Sequence, residues 1–113
     1  MTITIYHNPR CSKSRATLAI LEQTGKAFEI VEYLKSPPDA ATLKGIARKL
    51  GLGPDAFIRE GEAAYKDLGL YGADDDALYK AMAAHPILIE RPIVVNGERA
   101  AIGRPPEAVL DIL

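Results

Sequence analysis

The chain has 113 residues, enough for one ordinary domain, and 14 Lys and Arg against 15 Asp and Glu leave a net charge of −1. So balanced a composition excludes the strong field that would gather nucleic acid or an acidic membrane surface, and any anion the protein binds must be held by cations clustered locally. One cysteine cannot form an internal disulfide, and the opening MTITIYHNPR has a strand-like pattern with no signal or transit sequence. Apolar runs such as 87–89 and 93–95 are far shorter than the roughly 20 residues that span a bilayer. A soluble, cytoplasmic, monomeric protein is expected, with one domain over 1–113 and with neither nucleic acid nor membrane among its partners.

Ile3-Thr4-Ile5-Tyr6 alternates as a strand does, and Asn8-Pro9 turns the chain. From Ser12 to Thr24 no Gly or Pro interrupts, Leu18 and Leu21 stand three apart, and Gly25 offers the left-handed stop of a helix. Phe28 to Tyr33 is a second strand, and so short a return favours a parallel, right-handed crossover that Ser36-Pro37-Pro38 closes. Asp39 is placed to cap a helix whose Leu43, Ile46, Ala47 and Leu50 share one face before Gly51. Shorter helical stretches are expected near 54–59 and 75–84. After His85-Pro86, Pro92 leads into Ile93-Val94-Val95, and Asn96-Gly97 joins that run to Arg99 through Ile102 as a hairpin. A final helix is expected from about Pro106, with Pro37, Pro38, Pro105 and Pro106 serving as turn and helix-start residues. This order describes an α/β chain with a thioredoxin-like fold and a helical insertion between the second strand and the C-terminal hairpin.

Cys11 falls where a strand tip turns into a helix, and the free backbone N–H groups of a helix start favour a thiolate. A buried hydrophobic role is the alternative for a lone cysteine. Arg10, Ser12, Lys13, Ser14 and Arg15 make so polar a setting that the reactive role is preferred. Ser14 stands where a Cys-x-x-Cys pair would carry its second thiol, so an outside thiol must resolve any covalent sulfur adduct. Ser12 and Ser14 have hydroxyls suited either to a bound oxyanion or to local capping of the first turn. His7 is placed either to tune the thiolate or to satisfy local backbone, and His85 marks a helix end. No cysteine and histidine cluster points to a metal.

The run Tyr6-His7-Asn8-Pro9-Arg10-Cys11-Ser12-Lys13-Ser14-Arg15 resembles the active-site segment of the glutaredoxin-coupled arsenate reductase family. Leu34 through Asp39, Glu90-Arg91-Pro92-Ile93-Val94-Val95, and Gly103-Arg104-Pro105-Pro106-Glu107 with Val109-Leu110-Asp111-Ile112 resemble it as well, so the likeness covers essentially the whole chain. The segment NPRCSKSR is similar to a chromosomal subgroup of that family, and the best-known members continue past the final helix with a charged tail. The resemblance implies that Cys11 attacks arsenate, that glutathione joins the adduct as co-substrate, and that glutaredoxin completes reduction to arsenite, with no bound cofactor. It also implies that Arg59, Arg91 and Arg104 hold the oxyanion, that His7, Asn8, Arg15 and Pro92 support the site, and that Pro92 is cis.

Planar guanidinium donors suit a reaction in which a thiolate meets a dianion. Independently of the resemblance, Arg91-Pro92 and Arg104-Pro105 place two of these arginines on defined backbone at the ends of the hairpin, whereas Arg59 has no such argument. Two other functions fit the same cysteine. One is a glutathione-dependent thiol/disulfide reductase; the other is an Spx-like regulator that binds RNA polymerase, which the missing Cys-x-x-Cys switch disfavours.

Overall fold

Alternation decides the first element. In the computed structural model, which describes residues 2–113, β1 (Ile3–His7) buries Ile3, Ile5 and His7 and leaves Thr4 and Tyr6 half-buried. The strand runs to His7 and not merely to Tyr6, because His7 continues the inward register and the chain turns only at Asn8. α1 (Ser12–Thr24) follows and stops at Gly25, whose φ of 73° is a conformation that a side chain resists. β2 (Phe28–Glu32) returns parallel to β1, with Ile3 opposite Phe28 and His7 opposite Glu32. Tyr33, expected in this strand, lies just beyond it.

The chain up to Ser36 and Arg91–Leu113 together form one compact unit. Its sheet has the order β2-β1-β3-β4, with β3 (Ile93–Asn96) antiparallel to both β1 and β4 (Arg99–Ile102). Asn96 pairs with Arg99, so the two-residue turn is Gly97-Glu98, and Gly97 has the positive φ of 61°. Asn96 therefore ends the strand, and its side-chain amide donates to the Ile112 carbonyl at 2.7 Å.

The last element, Pro106–Ile112, is a 3-10 helix where an ordinary helix was expected. At three residues per turn, Val109 and Ile112 eclipse, and both are buried. α1 and this helix contact each other. The core of the unit is Ile3, Ile5, Leu21, Val94, Val109 and Ile112, with Leu18, Phe28 and Ala101 packed around it.

Residues 37–90 form the second unit. α2 (Ala40–Leu50) starts at Asp39, whose carboxylate accepts from the Thr42 N–H at 2.8 Å, and that hydrogen bond holds the carboxyl below its ordinary pKa. α4 (Asp75–Ala84) starts in the same way, with Asp74 accepting from the Ala77 N–H at 2.9 Å. α2 packs on α4; Leu43, Ile46, Ala47, Leu78, Tyr79 and Met82 are buried, and Lys44 pairs with Asp76 at 2.8 Å.

The helix expected near 54–59 is only a 3-10 turn, Pro54–Ala56. Phe57 and Ile58 are buried, and Ile58 makes an antiparallel bridge to Ile89, which an extended backbone allows and a helix does not. α3 (Ala63–Asp67) was not foreseen because it buries no residue and so shows no apolar stripe. The architecture is therefore α/β and thioredoxin-like, with the helical insertion between β2 and the β3-β4 hairpin. Among the described residues no helix is long and apolar enough to cross a membrane.

Ile5 is completely buried at the centre of the first unit. Ile5→Ala should cost about 2–5 kcal/mol, read as a lower urea midpoint with an unchanged slope.

Candidate active site

Cys11 occupies the N-cap of α1, with extended backbone at φ −92° and ψ 124°. Its carbonyl accepts the Arg15 N–H and its own N–H donates to the Asn8 carbonyl, each at 3.0 Å. The cysteine side chain makes no capping hydrogen bond, and no acidic residue occupies the first turn. A partly exposed cysteine thus stands at the positive end of a 13-residue helix.

The loop before Cys11 is pinned at three polar groups of Asn8. Its N–H donates to Ser14 Oγ at 3.0 Å, its Oδ1 accepts from the Arg10 N–H at 3.0 Å, and its carbonyl holds Cys11. Arg15 closes the loop from the helix side, where Nη1 donates to the Pro9 carbonyl at 2.9 Å. Ser14 is fully buried, and its Oγ lies 2.6 Å from His7 Nδ1. Of the two roles open to Ser14 in the sequence, this geometry gives it the local one: its hydroxyl joins β1, the loop and α1, while Ser12 stays exposed. Thr17, also fully buried, bonds back to the Lys13 carbonyl at 2.8 Å.

Burial lowers the pKa of His7 by disfavouring the charged ring; Glu32 opposes this shift and Arg15 adds to it. Neutral His7 therefore faces Ser14 at neutral pH. Beside it lies a cleft of about 310 Å³, bounded by His7 through Arg10 on one side and by Glu32, Leu34 and Lys35 on the other.

Arg91 and Arg104 are brought together, because Arg104 Nε donates to the Arg91 carbonyl at 3.0 Å. The adjoining Gly103 N–H donates to the Pro92 carbonyl at 2.8 Å. Arg91-Pro92 is cis, as the resemblance implied, and Arg104-Pro105, where an ordinary turn proline was expected, is cis as well. Gly103 has no room for a side chain: a Cβ would lie 2.5 Å from Thr17 Oγ1 and 2.7 Å from Pro92 Cγ. The Arg104 loop therefore sits against α1 six residues beyond Cys11 and against Pro92 of the Arg91 loop.

Arg59 belongs to the second unit. Its N–H donates to the Leu88 carbonyl at 2.7 Å, and its Nη1 pairs with Glu62 at 2.8 Å. His85 is exposed at the end of α4. Among the described residues no group of three or more His, Cys, Asp or Glu is placed to hold a metal ion.

The packing role of Gly103 and the roles of Thr17, Glu32 and Glu62 escaped the sequence reading. The available signals were Ser14, Thr17 and Leu21 at the spacing of one helix face, and Arg59 and Glu62 at ion-pair spacing.

Residues 6–112 match the family model described as ArsC family. The chain belongs to the ArsC family. It is 51% identical to "Arsenate reductase" of Neisseria meningitidis serogroup A over 98% of this chain and 97% of that one. It is 48% identical to "Arsenate reductase" of Haemophilus influenzae over the full length of both. The solved structure "Arsenate reductase from Vibrio cholerae" superposes with a TM-score of 0.95 at 52% identity, covering 100% of this chain and 98% of that one. The cysteine loop and both cis prolines thus lie within the segment matched to the ArsC family.

Two expectations follow from this geometry. Ser14→Ala leaves the Asn8 N–H and a buried imidazole without their partner and should cost about 1–3 kcal/mol in chemical denaturation. Because the folded-state pKa of His7 lies below its unfolded value near 6.5, the folded protein binds fewer protons there. His7 therefore favours folding fully above that pH, and its contribution falls as acid protonates the unfolded chain. Melting temperature should drop as pH falls from about 7 to about 5, and less steeply in His7→Asn.

Proposed function

We propose that this protein reduces arsenate to arsenite through a covalent adduct on Cys11, with glutathione and glutaredoxin supplying the electrons. The observation that carries the reading is the partly exposed Cys11 at the N-cap of α1, on a loop pinned by Asn8 and Ser14. The names of the similar proteins support arsenate as the oxyanion.

In this reading the Cys11 thiolate attacks As(V) and forms an S–As bond, and one arsenate oxygen leaves as water after taking up protons. Glutathione then displaces a second oxygen, again as water, and forms a second S–As bond. The glutaredoxin thiolate attacks the glutathione sulfur; that sulfur leaves arsenic, the bonding pair stays on arsenic as As(III), and a glutaredoxin-glutathione disulfide forms. Water finally cleaves the Cys11–As(III) bond, releasing arsenite and the free thiol. The net change is arsenate and two thiols converted to arsenite, one disulfide and water.

Arg91 and Arg104 neutralise the dianion during the first attack, and their guanidinium groups bind its oxygens in pairs. Arg59 is the third cation of this reading. Ser12 offers its exposed hydroxyl to the oxyanion, whereas Ser14, His7 and Asn8 hold the loop in place. The protein acts as a cytoplasmic monomer with no bound cofactor.

Arsenite formation with glutathione and glutaredoxin should vanish in Cys11→Ser. In Arg91→Ala or Arg104→Ala it should fall about 100-fold, the scale of one lost oxyanion donor. Arsenite no higher than in a control without enzyme would overturn the assignment. Arginine variants that lose nothing, alongside retained activity on a glutathione mixed disulfide, would instead favour a thiol/disulfide reductase.

A further inference from the structure

The loop that leads into Cys11 forms one wall of the cleft of about 310 Å³, a size at the small end of the roughly 300–1,000 Å³ typical of small-molecule sites. The other wall is the end of β2 and the turn after it, so every lining residue belongs to the first unit. Two cations, Arg10 and Lys35, and one carboxylate, Glu32, line the cleft together with the apolar Pro9 and Leu34.

These charges are open to a ligand. Arg10 is exposed, and its guanidinium has no carboxylate partner among the described residues, while its backbone is held by the hydrogen bond from its N–H to Asn8 Oδ1 at 3.0 Å. Lys35 Nζ lies 3.6 Å from Glu32 Oε1, with the two side chains 79% and 41% exposed. An ion pair so long and so wet contributes little, and a ligand exchanges it at small cost. The Glu32 carbonyl accepts both the Lys35 and the Ser36 N–H at 2.9 Å, a turn that fixes the backbone carrying both charges. Leu34 lies within that turn and is exposed, so a ligand that covers it gains from the apolar surface it removes from water.

From this arrangement we infer that the cleft between the cysteine loop and the turn after β2 binds glutathione before its thiol reaches the adduct on Cys11. The inference rests on the proposed role of glutathione as co-substrate. Glutathione carries two carboxylates and one ammonium, the complement of two cations and one carboxylate, and its thiol sits on the residue between the charged ends. Arg10 and Lys35 take the carboxylates, Glu32 takes the ammonium, and Pro9 and Leu34 cover the methylenes. Adjacent Cα atoms are about 3.8 Å apart, so a ligand held on Arg10 is held one residue from the nucleophile. The cleft thereby selects the donor by its charged ends and leaves arsenate to the arginines.

The test titrates S-methylglutathione, which keeps both charged ends and has no thiol to react, into the full chain without arsenic and follows backbone amide signals by NMR. Residues 7–10 and 32–35 should shift, and Arg10→Gln and Glu32→Gln, each checked by thermal unfolding, should weaken binding about fivefold, the scale of one exposed ion pair. The dimethyl ester of the same probe, which lacks both carboxylates, should bind wild type more weakly and no longer distinguish it from Arg10→Gln. In the glutaredoxin-coupled assay Lys35→Gln should raise the KM for glutathione about fivefold and leave the KM for arsenate within about twofold. If the probe shifts other residues or none, and the variants keep the wild-type KM for glutathione while arsenite still forms, the cleft is not the glutathione site and the proposed function stands. If the probe binds here as described but wild type makes no arsenite with glutathione and glutaredoxin, the site stands and the reductase reading fails.

Discussion

A single buried oxygen, Ser14 Oγ, organises the first unit around the cysteine. It accepts the Asn8 N–H and meets His7 Nδ1, so one atom joins the end of β1, the turn and the first turn of α1. A polar atom removed from water must find partners within the fold, and here those partners define the path of the chain. Because Asn8 is held, its carbonyl is in place to receive the Cys11 N–H, and the sulfur is presented at the start of the helix rather than along its side. The residue therefore meets the positive end of the helix's backbone dipoles, with no acidic side chain in the first turn.

Close packing carries the same order to the arginines. With hydrogen in place of a side chain, Gly103 lets the loop bearing Arg104 approach Pro92 and Thr17, and the Arg104 side chain then reaches the Arg91 backbone. Thr17 stands on the same helix face as Ser14. One face of α1 therefore fixes the nucleophile at its start and receives the Arg104 loop within two turns. Arg59 is organised by other means, with its backbone in a short antiparallel pairing and its charge answered by Glu62.

Much of this was legible in the residues. The strand, turn and helix around Cys11 announced themselves through alternation, Asn8-Pro9 and the stop at Gly25, and the Asp39 cap through its position ahead of an apolar stripe. Local signals of that kind depend only on neighbours in sequence. What stayed hidden depended on partners far along the chain: Phe57 and Ile58 pair with a strand-like segment some thirty residues away, so their apolar run could pass for a helix. α3, which buries nothing, left no periodic trace. Ser14 could be narrowed to two roles but not decided, since the decision lies in how deeply His7 and α1 bury it.

The buried place of Ser14 also bears on how electrons can travel. A resolving thiol at that position would exchange a strong hydroxyl acceptor for a weak sulfur one, at the very atom that keeps the Cys11 loop rigid. Stiff presentation of the nucleophile and an internal route for oxidising equivalents are thus competing demands on one site in this fold. With the serine there, under the proposed chemistry, every catalytic cycle must pass through encounters with thiols from outside the chain, and wherever those encounters limit turnover its pace follows the surrounding supply of reductant.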